Sequence, residues 1–215
     1  KTTMMQLIAN HVAIIQKKSV LIMSGEMPKE QIAMRLCCAM APADIGLVRN
    51  APHLLPKDEF TAYTNAVVML KNVPMQINDT SRPSIANIRE SIRKIQHQYG
   101  SVGAVLVDYL QIMKTTKPFA REDLKIAYFT GELKAMAKEF NCVIVLLSQL
   151  NRELEKRPNK RPVLSDLRES GAIEQDADQI VFLYRDEIYN KESQYRGIAE
   201  AIVGKNRHGE AGTAY

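Results

Sequence analysis

Four places along this 215-residue chain carry side chains suited to phosphate and divalent-metal chemistry. The chain opens Lys1-Thr2-Thr3 ahead of an amphipathic stretch. A lysine and hydroxyl residue at a helix start are the closing part of the phosphate loop G-x-x-x-x-G-K-[ST], whose glycines, where they exist, precede residue 1. The same three residues also suit a plain helix start with threonine caps. Asp108 follows the apolar run AVLV, the place from which an aspartate holds Mg²⁺ beside the phosphate-loop hydroxyl. A helix cap or turn residue would look the same. Glu26 closes the run SVLIMSGE and could polarise an attacking water. Equally, it could be a solvated glutamate stabilised by the dipole of the next helix. Gln149 follows VIVLLS, where its amide could meet a γ-phosphate or its water, or could be a polar loop residue.

These residues matter together only if the fold aligns them. Short apolar runs predict strands at Ser19–Met23, Ala104–Val107, Val143–Leu147, Gln179–Tyr184 and Ile198–Val203, with a weaker one at Met75–Ile77. Most of these runs lack alternation, which suits strands covered on both faces. Between them, helices are predicted over Thr2–Gln16, Lys29–Met40, Lys57–Leu70 and Leu124–Phe140. Another is marked by Ile85, Ile88, Ile92, Ile95 and Tyr99, with Ser84 as N-cap and Gly100 as stop. Pro28 suits a first helical position. Strand–helix alternation predicts an α/β fold, with a mostly parallel sheet and helices on both faces. The four polar sites then fall on one sheet edge, where ligands bind. Asn151–Pro162, rich in proline and charge, reads as a surface loop, and residues 113–123 as a second, mobile one.

Composition sets wider bounds. Hydrophobic residues make up 46% and charged residues 25%, an ordinary globular balance sufficient for one domain over 1–215. No apolar run reaches membrane-span length and no signal peptide opens the chain. Cys37, Cys38 and Cys142 have no metal-ligand spacing and read as reduced thiols of a cytoplasmic protein. A net charge of +5 is compatible with a polyanionic partner without requiring one. Both ends read as cut: the chain begins directly with Lys1-Thr2-Thr3 and an amphipathic helix, and stops at Gly212–Tyr215, which reads as the start of a returning strand.

Longer segments narrow the function. LIMSGEM, VLVDYLQIM, LLSQLNRELEKRPNKRPVLSDLRESGAIEQDADQIVFLYRDE and IVGKNRHGEAGT resemble, in order, the motifs of the DnaB family of bacterial and phage replicative helicases. One departure is Gly25 in SGEM, where the family pattern has leucine. The resemblance implies a RecA-like ATPase domain with a C-terminal β-hairpin, without the family's separate helical N-terminal domain. It implies ATP and Mg²⁺ as cofactors, with Lys1 on the β/γ-phosphates, Thr2 and Asp108 on the metal, and Thr3 in the same loop. It makes Glu26 the residue that activates water and Gln149 a γ-phosphate sensor. Lys205 and Arg207 would reach a neighbouring subunit's ATP, the arginine as a trans finger. Arg168, Glu169 and Gly171 of DLRESG would face single-stranded DNA in a central channel. Lys114, Lys117 and Arg121 would form a second channel loop, or simply a solvated basic surface.

The implied protein is a homo-hexameric motor that works with a primase and a helicase loader, in the cytoplasm of a bacterium or of a phage's host. A RecA- or RadA-type recombinase shares the same ATP chemistry, and a non-hydrolysing scaffold or loader-docking fragment is the reading from another class.

Overall fold

The computed structural model describes residues 1–167 and 171–215. The chain forms two compact units, 1–116 with 135–147, and 117–134 with 148–215. In the first, a parallel four-stranded sheet runs in the order β2-β1-β3-β4. Its strands are β1 (Val20–Ser24), β2 (Met75–Asn78), β3 (Ala104–Asp108) and β4 (Val143–Leu146). The helices along this part of the chain are α1 (Thr2–Asn10), α2 (Lys29–Met40), α3 (Ile45–Asn50), α4 (Lys57–Lys71) and α5 (Ile85–Tyr99). Helix α6 spans Glu122–Glu139.

The predicted parallel α/β sheet is present, and its two inner strands are buried at every position. Burial on both faces is what the unbroken apolar runs required. The outer strands differ: β2 and most of β4 are half-buried, and Val143 is exposed. The main core joins Met5, Ala9 and Ala13 to Val20, Ile22, Ile32, Leu36, Leu106 and Leu147. Helix α5 buries Ile85, Ile88, Ile92 and Ile95. Ser84 caps it reciprocally with Asn87, and Gly100 ends it at φ +81°.

Several elements depart from the sequence reading, most by one or two residues at their ends. The Thr2–Gln16 helix stops being α-helical at Asn10 and continues as a π-turn over His11–Ile15. The amide of Gln16 bonds to His11 O, which widens the turn by one residue. Pro28 is the N-cap of α2, one position before the predicted one. Helix α3, too short to show a period, went unpredicted.

The second unit holds α7 (Gly171–Asp176) and an antiparallel sheet, β5-β6-β7, over Gln179–Tyr184, Glu200–Asn206 and Gly212–Ala214. Gln179–Tyr184 therefore belongs to a separate antiparallel sheet and alternates: Ile180, Phe182 and Tyr184 are buried while their neighbours are exposed. Hydrophobic residues at the exposed positions, Val181 and Leu183, had hidden that period. Strand β6 begins at Glu200 and runs on through Gly204, Lys205 and Asn206.

The stretch Asn151–Pro162 is stapled by its own charges. Arg157 holds Asp166 with both guanidinium nitrogens, at 3.1 and 2.9 Å. Arg161 holds both oxygens of Glu200, one of them at 2.7 Å, and lies 4.9 Å from the Tyr184 ring centroid. Glu200 is 1% exposed, so it needs that partner. Replacing Arg161 with Ala leaves a buried carboxylate unpaired. We expect a loss of about 3–5 kcal/mol in denaturant unfolding, and a smaller loss for the double change Arg161→Met/Glu200→Met.

Candidate nucleotide site at the carboxyl edge of the parallel sheet

Strands β1 and β3 run in register, pairing Ser24 with Asp108 at their carboxyl ends. The amide of Gly25 extends the ladder by donating to Asp108 O at 3.0 Å. The chain then turns tightly: Ser24 Oγ donates to Met27 O at 2.7 Å and accepts from Met27 N at 3.2 Å. Glu26 stands exposed inside that turn. A β-carbon on Gly25 would sit 2.3 Å from Ile112 Cδ1 and 3.0 Å from Pro83 Cδ. Glycine in place of the family's leucine suits this packing: a larger residue would require the Ile112 side chain to shift.

Asp108 is 1% exposed and is met by the start of α1. Thr2 Oγ1 donates to Asp108 Oδ2 at 2.8 Å. Lys1 Nζ lies 3.6 Å from Asp108 Oδ1 and 3.7 Å from the centroid of the Tyr109 ring. Oδ1 itself is buried and accepts no hydrogen bond among the described residues. The peptide joining Asp108 to Tyr109 is cis. A buried carboxylate oxygen without a donor is costly unless a cation satisfies it. The available set, one hydroxyl and one carboxylate, is hard oxygen. Among the described residues no group of three or more His, Cys, Asp or Glu could hold a metal. A sparse oxygen set of this kind fits Mg²⁺, which keeps waters and takes its other ligands from phosphates.

Lys1, Thr2 and Asp108 are therefore in direct contact, and Glu26 follows the adjoining strand. Thr3 is exposed on the first turn of α1. Gln149 is exposed three residues beyond β4 in the chain. Tyr109, which seats the Lys1 ammonium, was missed; an aromatic directly after a strand-end aspartate is the signal that could have found it.

Several of the remaining predicted residues within the described part of the chain have local partners. Lys205, expected at a hairpin tip, lies within β6 opposite Ile180. Its Nζ donates to Glu174 O, and Arg207 Nη2 donates to Gln175 O. Arg207 Nη1 is 3.3 Å from Asp178 Oδ1. Asp178 also binds Lys134, and these two cations, Lys134 foremost, hold its carboxyl below the usual range. Gly171, Glu174, Gln175, Lys205 and Arg207 line an open cavity of about 560 Å³. Gly171 begins α7, whereas Arg168 and Glu169 lie outside the described residues. Lys117 Nζ sits 4.2 Å from the Tyr128 ring centroid, and Arg121 Nε donates to Asp123 at 2.9 Å. Lys114 is exposed, and its amide donates to Pro83 O at 3.2 Å.

A parallel α/β sheet with a hydroxyl–aspartate pair at its carboxyl edge defines a nucleotide-phosphate-handling class of protein. Comparison with known proteins narrows that class. The family model of the DnaB-like helicase C-terminal domain matches residues 1–215, and the chain belongs to that family. It is 41% identical over 214 residues to the replicative DNA helicase DnaB of Buchnera aphidicola from Acyrthosiphon pisum, covering 99% of this chain and 46% of that protein. It is 42% identical to DnaB of Haemophilus influenzae, covering 99% of this chain and 45% of that protein. The chain thus spans about half the length of these curated relatives.

Among solved structures it superposes on an ATPase domain with a TM-score of 0.94 at 34% identity, covering 99% of this chain and 75% of that one. A structure of a DnaB-like replicative helicase and its interactions with primase matches with a TM-score of 0.90 at 34% identity, covering 95% and 49%. The fold is thus the RecA-like ATPase fold, a domain of this type uses a nucleotide, and the family does not favour the recombinase reading.

Thr2 and Asp108 can be separated by stability. Thr2→Val removes the hydrogen bond to a buried carboxylate, and we expect a loss of about 1–3 kcal/mol in urea unfolding. Asp108→Asn removes the buried charge instead, and we expect no loss of stability.

Proposed function

We propose that the chain is the motor domain of a replicative DNA helicase, hydrolysing ATP to move along single-stranded DNA and part a duplex. The observation that carries this is the 2.8 Å contact from Thr2 to the buried Asp108, whose second oxygen lacks a donor. Family membership over the whole chain supports it.

In this reading Thr2 and Asp108 hold Mg²⁺, and Lys1 contacts the β- and γ-phosphates, with Thr3 in the same loop. Bound Mg²⁺ supplies charge neutralisation on the phosphate oxygens. Glu26, exposed beside the Ser24–Asp108 pair, orients a water for in-line attack on the γ-phosphate. Gln149 registers the presence of that phosphate. Lys205 and Arg207 act on a neighbouring subunit's ATP, where the arginine stabilises charge in the transition state. To do so they must exchange their carbonyl and Asp178 partners for phosphate oxygens, which accept hydrogen bonds more strongly.

Arg168, Glu169 and Gly171 face the phosphates of single-stranded DNA, with Lys114, Lys117 and Arg121 as a second loop. Phosphate contacts suit a motor that moves over any sequence. Subunits assemble as a homo-hexamer. Its partners are a loader and a primase; one similar solved structure is of a DnaB-like helicase and its interactions with primase. The protein works at the replication fork in the cytoplasm. Among the described residues no helix is long and apolar enough to cross a membrane.

Hydrolysis with and without single-stranded DNA, beside unwinding of a forked duplex and a strand-exchange assay, tests the reading. Unwinding without strand exchange is expected, and absence of DNA-stimulated hydrolysis would favour the scaffold instead. In the assembled full-length protein, Glu26→Gln should keep ATP binding and lower turnover by about 10²-fold or more; unchanged turnover removes Glu26 from its role. Arg207→Ala mixed with Lys1→Ala should recover part of the lost ATPase, because one shared interface keeps both groups. If no mixture recovers activity and Arg207→Ala alone is fully active, the trans role is lost.

A further inference from the structure

Among the described residues, three besides glycine take left-handed backbone conformations: Lys17 at φ +53°, Arg82 at φ +51° and Asn141 at φ +48°. Two of them stop helical turns. Lys18 N reaches back to Val12 O, and Cys142 N to Ala137 O, each at 3.1 Å, the wrap that follows a left-handed terminator. Arg82 ends no helix. It lies between β2 and Ser84, the N-cap of α5. An arginine there bears the steric cost of the left-handed region, which glycine avoids and asparagine offsets locally.

The surrounding loop is clamped. Thr80 N donates to Asn78 Oδ1 at 2.9 Å, Lys29 N to Asp79 Oδ2 at 3.1 Å, and Lys114 N to Pro83 O at 3.2 Å. The Arg82 side chain is exposed and makes no hydrogen bond or ion pair among the described residues. Neither packing nor pairing therefore explains arginine at this position. Residues held in costly backbone conformations by a fixed surrounding cluster at functional sites.

Its place in the fold says which site. The loop leaves the carboxyl end of β2, where Asn78 pairs with Met23, one residue before the Ser24–Asp108 pair. A β-carbon on Gly25 would lie 3.0 Å from Pro83 Cδ, so the proline ring rests on the Gly25 backbone. Arg82 and Glu26 are the immediate chain neighbours of those two touching residues. This edge already carries the carboxylates of Glu26, Asp79 and Asp108. A nucleotide triphosphate arriving there needs cations to offset them, and a guanidinium can meet phosphate oxygens two at a time.

We propose that Arg82 is a further catalytic residue of the nucleotide site, contacting the γ-phosphate in cis beside Glu26. The proposal rests on the ATP-hydrolysis reading above. It differs from the trans role of Arg207 in needing no neighbour's side chain.

The test compares full-length wild type with Arg82→Gly and Arg82→Lys for ATPase kinetics, melting temperature and single-stranded DNA affinity. Glycine fits φ +51° without strain, so Arg82→Gly should melt within a few degrees of wild type. Its kcat should fall about 10²-fold, the scale of losing one such donor, with KM changing far less. Arg82→Lys keeps the charge and should recover part of kcat. If wild type hydrolyses ATP and Arg82→Gly does so within twofold, the proposal fails while the parent reading stands. It fails equally if Arg82→Gly loses only DNA affinity, which would make Arg82 a nucleic-acid contact. A wild type without ATPase overturns both.

Discussion

A carboxylate at 1% exposure is an electrostatic problem that the fold has to solve, and Asp108 is that carboxylate. The solution begins in the sheet. Parallel pairing of β1 with β3 places Asp108 opposite Ser24, at an edge from which the chain can only turn away. The first residues of α1 then complete it, with a threonine hydroxyl on one oxygen and the Lys1 ammonium 3.6 Å from the other. The arrangement leaves the carboxylate only partly satisfied. An aspartate with one oxygen that accepts no hydrogen bond, beside a hydroxyl, can accept a divalent cation.

The turn at SGEM follows from the same constraint. Because Gly25 N continues the β1–β3 ladder onto Asp108 O, its α-carbon is held against Ile112 and Pro83, and any side chain there would require the Ile112 methyl to shift. Ser24 closes the turn around Met27, leaving Glu26 exposed. Residue types that look interchangeable in a motif are thus decided by contacts some 60 to 90 positions away in the chain.

The second unit obeys the same rule with different partners. Glu200, at the start of an apolar strand, is buried and is held by Arg161. Asp166, the first residue of DLRESG, is held by Arg157. A stretch that composition marks as a solvated loop is in fact organised by two arginines, because each neutralises a carboxylate that burial would otherwise leave exposed to a low dielectric. The lone Glu200 in IAEAIV was the available clue, since a charge in an apolar strand requires a partner.

The sequence by itself determined what periodicity and punctuation encode: the inner strands, helices such as α2 and α5, the α5 caps Ser84 and Gly100, and the positions of Glu26 after its strand and of Asp108 at the end of its strand. Those depend on contacts within a few residues, so they can be read locally. It also determined the family, through ordered motifs rather than through physics. Tertiary structure alone decided the rest. It brought Thr2 to Asp108 across 106 positions, set Tyr109 beneath Lys1, and turned β5 and β6 into a separate antiparallel sheet. It also placed Lys205 and Arg207 on the carbonyls of α7 and put Arg82 in a left-handed turn just before Pro83, which packs near Gly25. Each of these turns on which distant group lies within about 4 Å. Coulombic and hydrogen-bond energies fall so steeply with distance and dielectric that no local pattern specifies them.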